Sequence, residues 1–269
     1  MNGRDEGVPP PHAVVLDTDG VLLDSATAHA AAWKTAFDAC LAARAPDDPG
    51  ARAPFDADAE YRRFVDGRSR YDGAAAFLAS RGVVLPPGSP DDPPGPGTVW
   101  AVAARKEAAF REALAAGAVT AFPDAEEALA VLRALHVPCA AVSASRHART
   151  LLADTGLDRL LAVVVDGGDA ARLELPGKPD PALFLHAAAR LDVRPGDTAV
   201  VEDALAGVKA ARRGGFGLVA GLDRSPDGHG AAPLRAEGAD LVAPDLTTLV
   251  RTAWGGRNLT RRHGRDGRT

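Results

Sequence analysis

The chain has 269 residues, of which 46% are hydrophobic and 25% charged, so its composition is globular and excludes disorder as the dominant state. Its 31 basic and 36 acidic residues give a net charge of -5, which argues against a nucleic-acid-binding protein. No apolar run reaches the ~20 residues of a membrane helix, and residues 1–12 carry acids and prolines where a signal peptide needs an apolar stretch. Two cysteines, Cys40 and Cys139, are too few for a disulfide framework. We therefore expect a cytoplasmic monomer that binds neither nucleic acid nor membrane.

Short apolar runs that alternate with helical patterns predict a sheet covered by helices on both faces. The predicted strands are Ala13–Leu16, Cys139–Val142, Leu161–Val165, Ala199–Val201, Gly217–Ala220 and Asp240–Val242. The predicted helices between them are Asp124–Leu135, Pro181–Leu191 and Ala204–Arg213. The first of these helices begins with Asp124 and Glu127, a variant of the capping box. This βαβ alternation predicts an α/β fold with a doubly wound, Rossmann-like parallel sheet.

The segment between the first strand and Asp124 shows helical patterns but no buried strand. The spacing predicts helices at about 27–44, 58–66, 73–80 and 99–116, with a Pro/Gly-rich loop at 84–97. We expect a split core domain, residues 1–25 and 121–254, with a helical cap domain, residues 26–120, inserted after the first strand. An insert at this point lies over the carboxyl edge of the sheet, where open α/β folds bind ligands. The arginine-rich tail, residues 255–269, is predicted to be disordered, with nucleic-acid contact as the alternative.

Two carboxylates follow the first predicted strand, in the sequence Asp17-Thr18-Asp19-Gly20. Their mutual repulsion is relieved by a divalent cation, and oxygen ligands suit Mg²⁺. The segment does not fit an EF-hand, because that loop places its glycine sixth and Gly20 is fourth from Asp17. The alternative is a pair of aspartates that only shape a turn.

Polar side chains also follow other predicted strands or precede a predicted helix. Ser143 follows the strand that ends at Val142, Lys178 precedes the helix at 181, and Glu202 and Asp203 follow the strand that ends at Val201. Each has a structural alternative as a helix cap or a solvated loop residue. Together at one sheet edge they suit phosphoryl transfer, in which a carboxylate attacks phosphorus while a lysine and Mg²⁺ offset the repulsion between the anions.

These residues resemble the four signature motifs of the haloacid dehalogenase superfamily over residues 13–245. The resemblance implies that Asp17 is the nucleophile, Asp19 the general acid/base, Ser143 a phosphoryl ligand and Lys178 its charge partner. It also implies Mg²⁺ as the cofactor. The implied metal ligands are Asp17, the Asp19 carbonyl, Glu202 and Asp203. An acid at Asp19 favours phosphate esters over dehalogenation, which needs no acid there.

The predicted cap resembles that of the β-phosphoglucomutase-like subfamily. The motifs are His29-x-x-x-Trp33-Lys34, Gly67-x-Ser69-Arg70 and Arg105-Lys106, and they are joined by Ser145 and Arg146 in the core. The resemblance implies that His29, Trp33, Gly67, Arg70, Lys106, Ser145 and Arg146 bind the substrate. The alternatives are packing within the cap for His29 and Trp33, a solvated or salt-bridged position for Arg70, and a helix cap for Ser145. Four residues depart from the subfamily pattern, and they are Arg146, His147, Glu107 and Gly73. The Pro/Gly-rich stretch at 84–97 also lengthens the cap.

Two functions follow from the resemblance. The first is an isomerase that interconverts β-glucose 1-phosphate and glucose 6-phosphate, and the second is a phosphatase of sugar phosphates or similar small monoesters. Both imply a small phosphorylated sugar as the partner. A mutase needs a second cationic site for the phosphate that is not being transferred, so Arg70 and Lys106 favour the first function. Glu107, an anion near a phosphate site, and the long cap loop leave room for the second function.

Overall fold

The computed structural model describes residues 10–45, 47–225 and 228–255. Eight strands are present in these residues: β1 (Ala13–Asp17), β2 (Leu23–Asp24), β3 (Thr120–Ala121), β4 (Cys139–Val142), β5 (Val163–Val165), β6 (Thr198–Glu202), β7 (Leu218–Leu222) and β8 (Leu241–Ala243). Six of them form a parallel sheet in the order β5-β4-β1-β6-β7-β8. The predicted α/β fold class is confirmed, and all six predicted strands are present with ends shifted by up to two residues.

The register of the sheet brings the polar strand ends together. Asp17, the last residue of β1, lies opposite Val142 of β4, so Ser143 follows immediately beside it. On the other side of β1, Leu16 lies opposite Val201 of β6, which places Glu202 next to Asp17. The carboxyl ends of three adjacent strands therefore supply the side chains of one site.

Helices of the core cover both faces of the sheet. They are α5 (Pro123–Ala134), α6 (Ala148–Asp154), α7 (Gly167–Arg172), α8 (Ala182–Arg190), α9 (Leu205–Arg213), α10 (Ala231–Ala236) and α11 (Leu246–Trp254). Because side chains alternate along a strand, Val14 and Leu16 of β1 pack in one apolar cluster while Val15 packs in the other. The first cluster includes residues of α5 and α11, and the second includes residues of α8 and α9.

The segment between β2 and β3 forms a helical unit with its own apolar core. It contains α1 (Ala26–Arg44), α2 (Pro49–Arg52), α3 (Arg70–Ser80) and α4 (Val99–Ala115). Trp33, Phe37, Phe55 and Phe77 are among its buried side chains, and Phe37 lies 4.1 Å from Phe77 between ring centroids. The antiparallel pair of β2 and β3 lies where this unit leaves and rejoins the chain of the sheet. No helix in the part of the chain that the structure describes is long and apolar enough to span a membrane.

Three local predictions differ from the structure. The helix predicted at 58–66 is a short π-helical turn at Tyr61–Val65, and the helix predicted at 73–80 begins at Arg70 because the Ser69 hydroxyl caps it. The capping box predicted at Asp124 is wrong, since the helix begins at Pro123 and the Asp124 carboxylate instead pairs with Arg224. The prediction for the tail concerns residues that, apart from Gly255, lie outside the described ranges.

Candidate active site

Lys178 is buried between two carboxylates at the edge of the sheet. Its Nζ donates hydrogen bonds to Asp17 Oδ1 and, at 2.5 Å, to Glu202 Oε1. All three side chains are at least nine-tenths buried. Burial alone lowers the pKa of Lys178, but the charges of Asp17 and Glu202 outweigh it and hold the pKa above its usual value. The lysine is therefore a fixed positive charge beside Asp17.

Three carboxylates beside this lysine could hold a metal ion. One oxygen each from Asp17, Glu202 and Asp203 lies within 4.8 Å of the others. Burial, followed by the negative charges of Asp66 and Glu202, raises the pKa of Asp203, as expected where acidic groups outnumber cations. Gly20 has a φ of +81°, and a Cβ there would lie 1.7 Å from Asp203 Oδ2, so only glycine leaves room for this carboxylate. The oxygen donors fit a hard divalent cation such as Mg²⁺.

Asp19 accepts hydrogen bonds from three side chains. Ser25 Oγ donates to its Oδ1 at 2.6 Å, Ser143 Oγ donates to its Oδ2 at 2.7 Å, and His29 Nε2 lies 3.3 Å from Oδ1. Burial alone raises the pKa of Asp19, but the contacts with His29, Ser25 and Ser143 outweigh it and hold the pKa well below the usual range. Asp19 is thus an ionised carboxylate, able to accept a proton from a substrate hydroxyl.

Behind Asp19, His29 is oriented by the buried Lys106. The Lys106 ammonium lies 2.8 Å from His29 Nδ1, and because an ammonium only donates, Nδ1 accepts and Nε2 carries the hydrogen towards Asp19. The His29 ring stacks on Phe110, with centroids 3.9 Å apart. Burial lowers the pKa of Lys106 to about 8. A chain of contacts therefore connects the helical cap to the predicted acid/base.

A second cluster of charges surrounds Glu107. Arg70 Nη1 donates to Glu107 Oε2 at 2.9 Å, and His147 Nε2 lies 2.5 Å from Glu107 Oε1. Burial raises the pKa of Glu107, but the hydrogen bond from His147 and the charge of Arg70 outweigh it and lower the pKa to about 2. Two residues that depart from the subfamily pattern, Glu107 and His147, are thus in direct contact.

Most of the predicted site residues line one cavity between the cap and the sheet edge. These residues are Asp17, Asp19, His29, Trp33, Gly67, Arg70, Lys106, Ser145, Arg146, Lys178 and Asp203. Ser143 and Glu202 are fully buried beside the cavity, where they contact Asp19 and Lys178. The cavity has a volume of about 60 Å³, which is room for a few water molecules, since one water needs roughly 10–15 Å³. Lys34, on the predicted cap motif, instead bonds to the Phe55 carbonyl and pairs with Asp38.

Two residues that the sequence analysis missed, Tyr61 and Asp66, also line the cavity. Burial, then the charge of Glu202, raises the pKa of Asp66 to about 7. The signal for Asp66 was its position directly before Gly67. At Gly67 φ is +69°, and a Cβ would lie 2.9 Å from Ala204 Cβ, so this loop touches the core loop after Asp203. Nothing in the sequence pattern singled out Tyr61.

Comparisons with known proteins identify the family of the chain and its structural relatives. Residues 11–215 match the family of haloacid dehalogenase-like hydrolases. A β-phosphoglucomutase of Mycobacterium bovis is 42% identical over 238 residues, 88% of this chain and 91% of its own. A haloacid dehalogenase family hydrolase from Deinococcus radiodurans, solved with bound phosphate and sodium, is 29% identical with a TM-score of 0.61, covering 91% of this chain and 97% of its own. A hydrolase from Pseudomonas syringae shares the fold, with a TM-score of 0.68 at 23% identity over 89% and 96% of the two chains.

Proposed function

The chain belongs to the haloacid dehalogenase-like hydrolase family, and from that premise we propose that it is a Mg²⁺-dependent β-phosphoglucomutase. It would interconvert β-glucose 1-phosphate and glucose 6-phosphate through an aspartyl phosphate on Asp17. The observation that carries the proposal is that Arg70 and Lys106 of the cap face the same cavity as Asp17. A mutase needs such cations, because its bisphosphate intermediate carries a second phosphate that must be held while the first is transferred.

The first step is the attack of an Asp17 carboxylate oxygen on the phosphorus of a bound phosphate. The bond from phosphorus to the leaving oxygen breaks. That oxygen becomes a hydroxyl by taking the proton that Asp19 accepted from a sugar hydroxyl in the other half of the catalytic cycle. Lys178, held beside Asp17 and Glu202, offsets the negative charge that nucleophile and phosphate bring together. The amides next to Ser143 would hold the transferring oxygens, while the Ser143 hydroxyl, which donates its one hydrogen to Asp19, orients the acid/base.

In the second step a sugar hydroxyl attacks the phosphorus of the aspartyl phosphate and its proton passes to Asp19. Ser25, Ser143 and His29 hold the Asp19 carboxylate ionised and oriented for this transfer. Asp17, Asp203, the Asp19 carbonyl and Glu202 would hold Mg²⁺, which when bound neutralises charge on the phosphoryl oxygens. Because the cavity holds only a few waters, the cap must move away from the core for a sugar phosphate to enter.

Glu107 favours a second function, that of a phosphatase of small phosphate monoesters. Its carboxylate pairs with Arg70, the residue assigned to the phosphate that is not transferred. If Glu107 kept Arg70 permanently engaged, no second phosphate would bind there, and water would accept the phosphoryl group from Asp17. The same Asp17 and Asp19 chemistry serves both functions, so they differ in the final acceptor alone.

Arg70→Ala separates the two functions. The mutase predicts that kcat/KM on β-glucose 1-phosphate, assayed with Mg²⁺ and a bisphosphate primer, falls by a factor of tens to a few thousands. This corresponds to roughly 2–5 kcal/mol for removing one partner of a desolvated charge pair. Hydrolysis of a small monophosphate without a second phosphate is expected to change little, because Asp17 and Lys178 are untouched. Arg63→Ala, at an exposed position of the same cap, is the matched control.

Two outcomes of the Arg70→Ala experiment would contradict the mutase. Equal losses on both substrates mean that Arg70 is structural or general to the site, and the mutase proposal loses its main support. If neither activity falls, there is no second phosphate site at Arg70, and the phosphatase is the better interpretation.

A further inference from the structure

Glu107, whose side chain lines the cavity, connects the cap with the core. It lies on α4, and one of its oxygens accepts a hydrogen bond from Arg70, the first residue of α3. Its other oxygen is 2.5 Å from Nε2 of His147, which belongs to the core and precedes α6. The side chains are largely buried, with exposures of 19% for Glu107 and 24% for both partners. A partly buried ion pair is screened less by salt than a surface pair, so we expect the contacts of Glu107 with Arg70 and His147 to stabilise the packing of the cap on the core.

The contact of Glu107 with Arg70 uses the same guanidinium that a second phosphate would use. Arg70 and Glu107 both line the cavity, and Glu107 is anionic, as a phosphate is. A phosphate dianion within hydrogen-bond distance of Arg70 would lie close to the Glu107 carboxylate. The two anions repel each other, so Arg70 can bind a phosphate fully only if Glu107 releases it.

We propose that Glu107 is the specificity-determining residue of the second phosphate site: its carboxylate occupies Arg70 and ties the cap to the core through His147, and only a second phosphate dianion displaces it from Arg70. This inference rests on the proposed function, which it deepens by selecting doubly phosphorylated sugars. A ligand without a second phosphate leaves the Arg70–Glu107 pair intact and gains nothing from Arg70. A bisphosphate regains at Arg70 the charge-assisted hydrogen bonds that Glu107 gives up.

The first test measures the affinity of glucose 1,6-bisphosphate by calorimetry, without added metal, so that the ligand is not turned over. Glu107→Gln keeps the shape of the side chain but removes its charge. We expect it to bind the bisphosphate about tenfold more tightly than the wild type or better. In an Arg70→Ala background the same substitution is expected to have a smaller effect, because the competition for Arg70 is gone and only the direct repulsion between the two anions remains. Glu112→Gln, at an exposed position of α4, is the control and is expected to bind like the wild type.

Unchanged or weaker binding of the bisphosphate by Glu107→Gln overturns the proposed competition for Arg70. An effect of undiminished size in the Arg70→Ala background overturns it as well. Circular dichroism and thermal unfolding of each variant establish that it is folded before its affinity is compared. Glu107→Asp, which keeps the charge on a shorter side chain, is expected to stay nearer to the wild-type affinity than Glu107→Gln.

The second test addresses the tie between cap and core in the free protein. Glu107→Gln and His147→Asn each remove one side of the Glu107–His147 contact, so small-angle scattering is expected to give a larger radius of gyration than for the wild type and for Glu112→Gln. No expansion in either variant overturns the tie. Failure of the proposed mutase function can be told apart from failure of this inference. In that case the wild type forms no glucose 6-phosphate, but Glu107→Gln and His147→Asn still show the larger radius of gyration.

Discussion

At Asp19, three neighbours decide the protonation state of one carboxyl group. Burial would favour the neutral acid, yet Ser25, Ser143 and His29 donate hydrogen bonds to the ionised form and lower the pKa. The sequence analysis found Asp19 and Ser143 from their positions after predicted strands, but it assigned Ser143 to the phosphoryl group alone. Its contact with Asp19 could not be predicted, because it depends on the register of β1 against β4.

Asp19→Asn is expected to lower kcat by ~10²–10⁴-fold on a sugar phosphate, the usual contribution of a general acid or base. The loss on an aryl phosphate is expected to be smaller, since an aryl leaving oxygen needs less protonation. The measurement is steady-state kinetics on both substrates. Equal losses on the two would show that Asp19 is not the acid that protonates the leaving group.

Helix α4 carries much of the chemistry that the cap contributes. Lys106 and Phe110 are one helical turn apart, so both reach His29, which stacks on Phe110 while Lys106 contacts its Nδ1. Glu107 lies on the adjacent face, towards Arg70 and His147. One helix therefore presents a cation to His29, behind the proposed acid/base, and an anion to Arg70, in the proposed second phosphate site.

The pH dependence of stability tests the Glu107 contacts on this helix. Arg70, His147, Lys106 and Arg111 face the carboxylate, and its pKa falls from 4.5 to about 2 in the folded protein. A lowered folded pKa means that the stabilisation is complete above about pH 4.5 and is lost as the pH falls towards 2. We expect the free energy of unfolding in urea at pH 7 to be lower for Glu107→Gln than for the wild type by at most about 3 kcal/mol. This limit follows from the lowered pKa, because each pKa unit corresponds to about 1.36 kcal/mol.

That difference in unfolding free energy is expected to narrow as the pH is lowered from 5 to 3. Below about pH 4.5 Glu107 takes up a proton in the unfolded chain but not in the folded protein, so the lower pH favours the unfolded state of the wild type. Glu112→Gln serves as the control and is expected to match the wild type throughout. A difference that is the same at pH 7 and pH 3 would mean that the charge of Glu107 does not stabilise the fold.

Strands and helices with a strong hydrophobic pattern could be predicted from the sequence. Very short strands and contacts between residues distant in the chain could not. Apolar runs identified all six strands of the main sheet, but the two-residue strands β2 and β3 are too short to give a pattern. Asp124 has the sequence spacing of a helix cap, yet it accepts a hydrogen bond from the Leu246 amide and pairs with Arg224. Both partners are at least 100 positions away in the sequence. The contact of Glu107 with His147 is likewise a long-range contact that no local pattern reports.

The molecule as a whole places two sets of charges around one cavity. The sheet edge supplies Asp17, Asp19 and Lys178, and the inserted cap supplies Arg70 and Lys106. Because the inserted chain leaves and returns beside β1, at the paired strands β2 and β3, the cap lies over the carboxyl ends of the central strands. Movement of the cap would then control both the entry of the sugar and the exclusion of water from the aspartyl phosphate.

A product assay on β-glucose 1-phosphate tests the central claim most directly. The purified protein is incubated with Mg²⁺ and a trace of glucose 1,6-bisphosphate, and glucose 6-phosphate and free phosphate are measured in the same sample. Asp17→Asn, which removes the proposed nucleophile, provides the background of the assay. We expect glucose 6-phosphate to form in large excess over free phosphate, because the sugar bisphosphate returns its phosphate to Asp17. Release of phosphate and glucose without glucose 6-phosphate would contradict the mutase and identify the protein as a phosphatase.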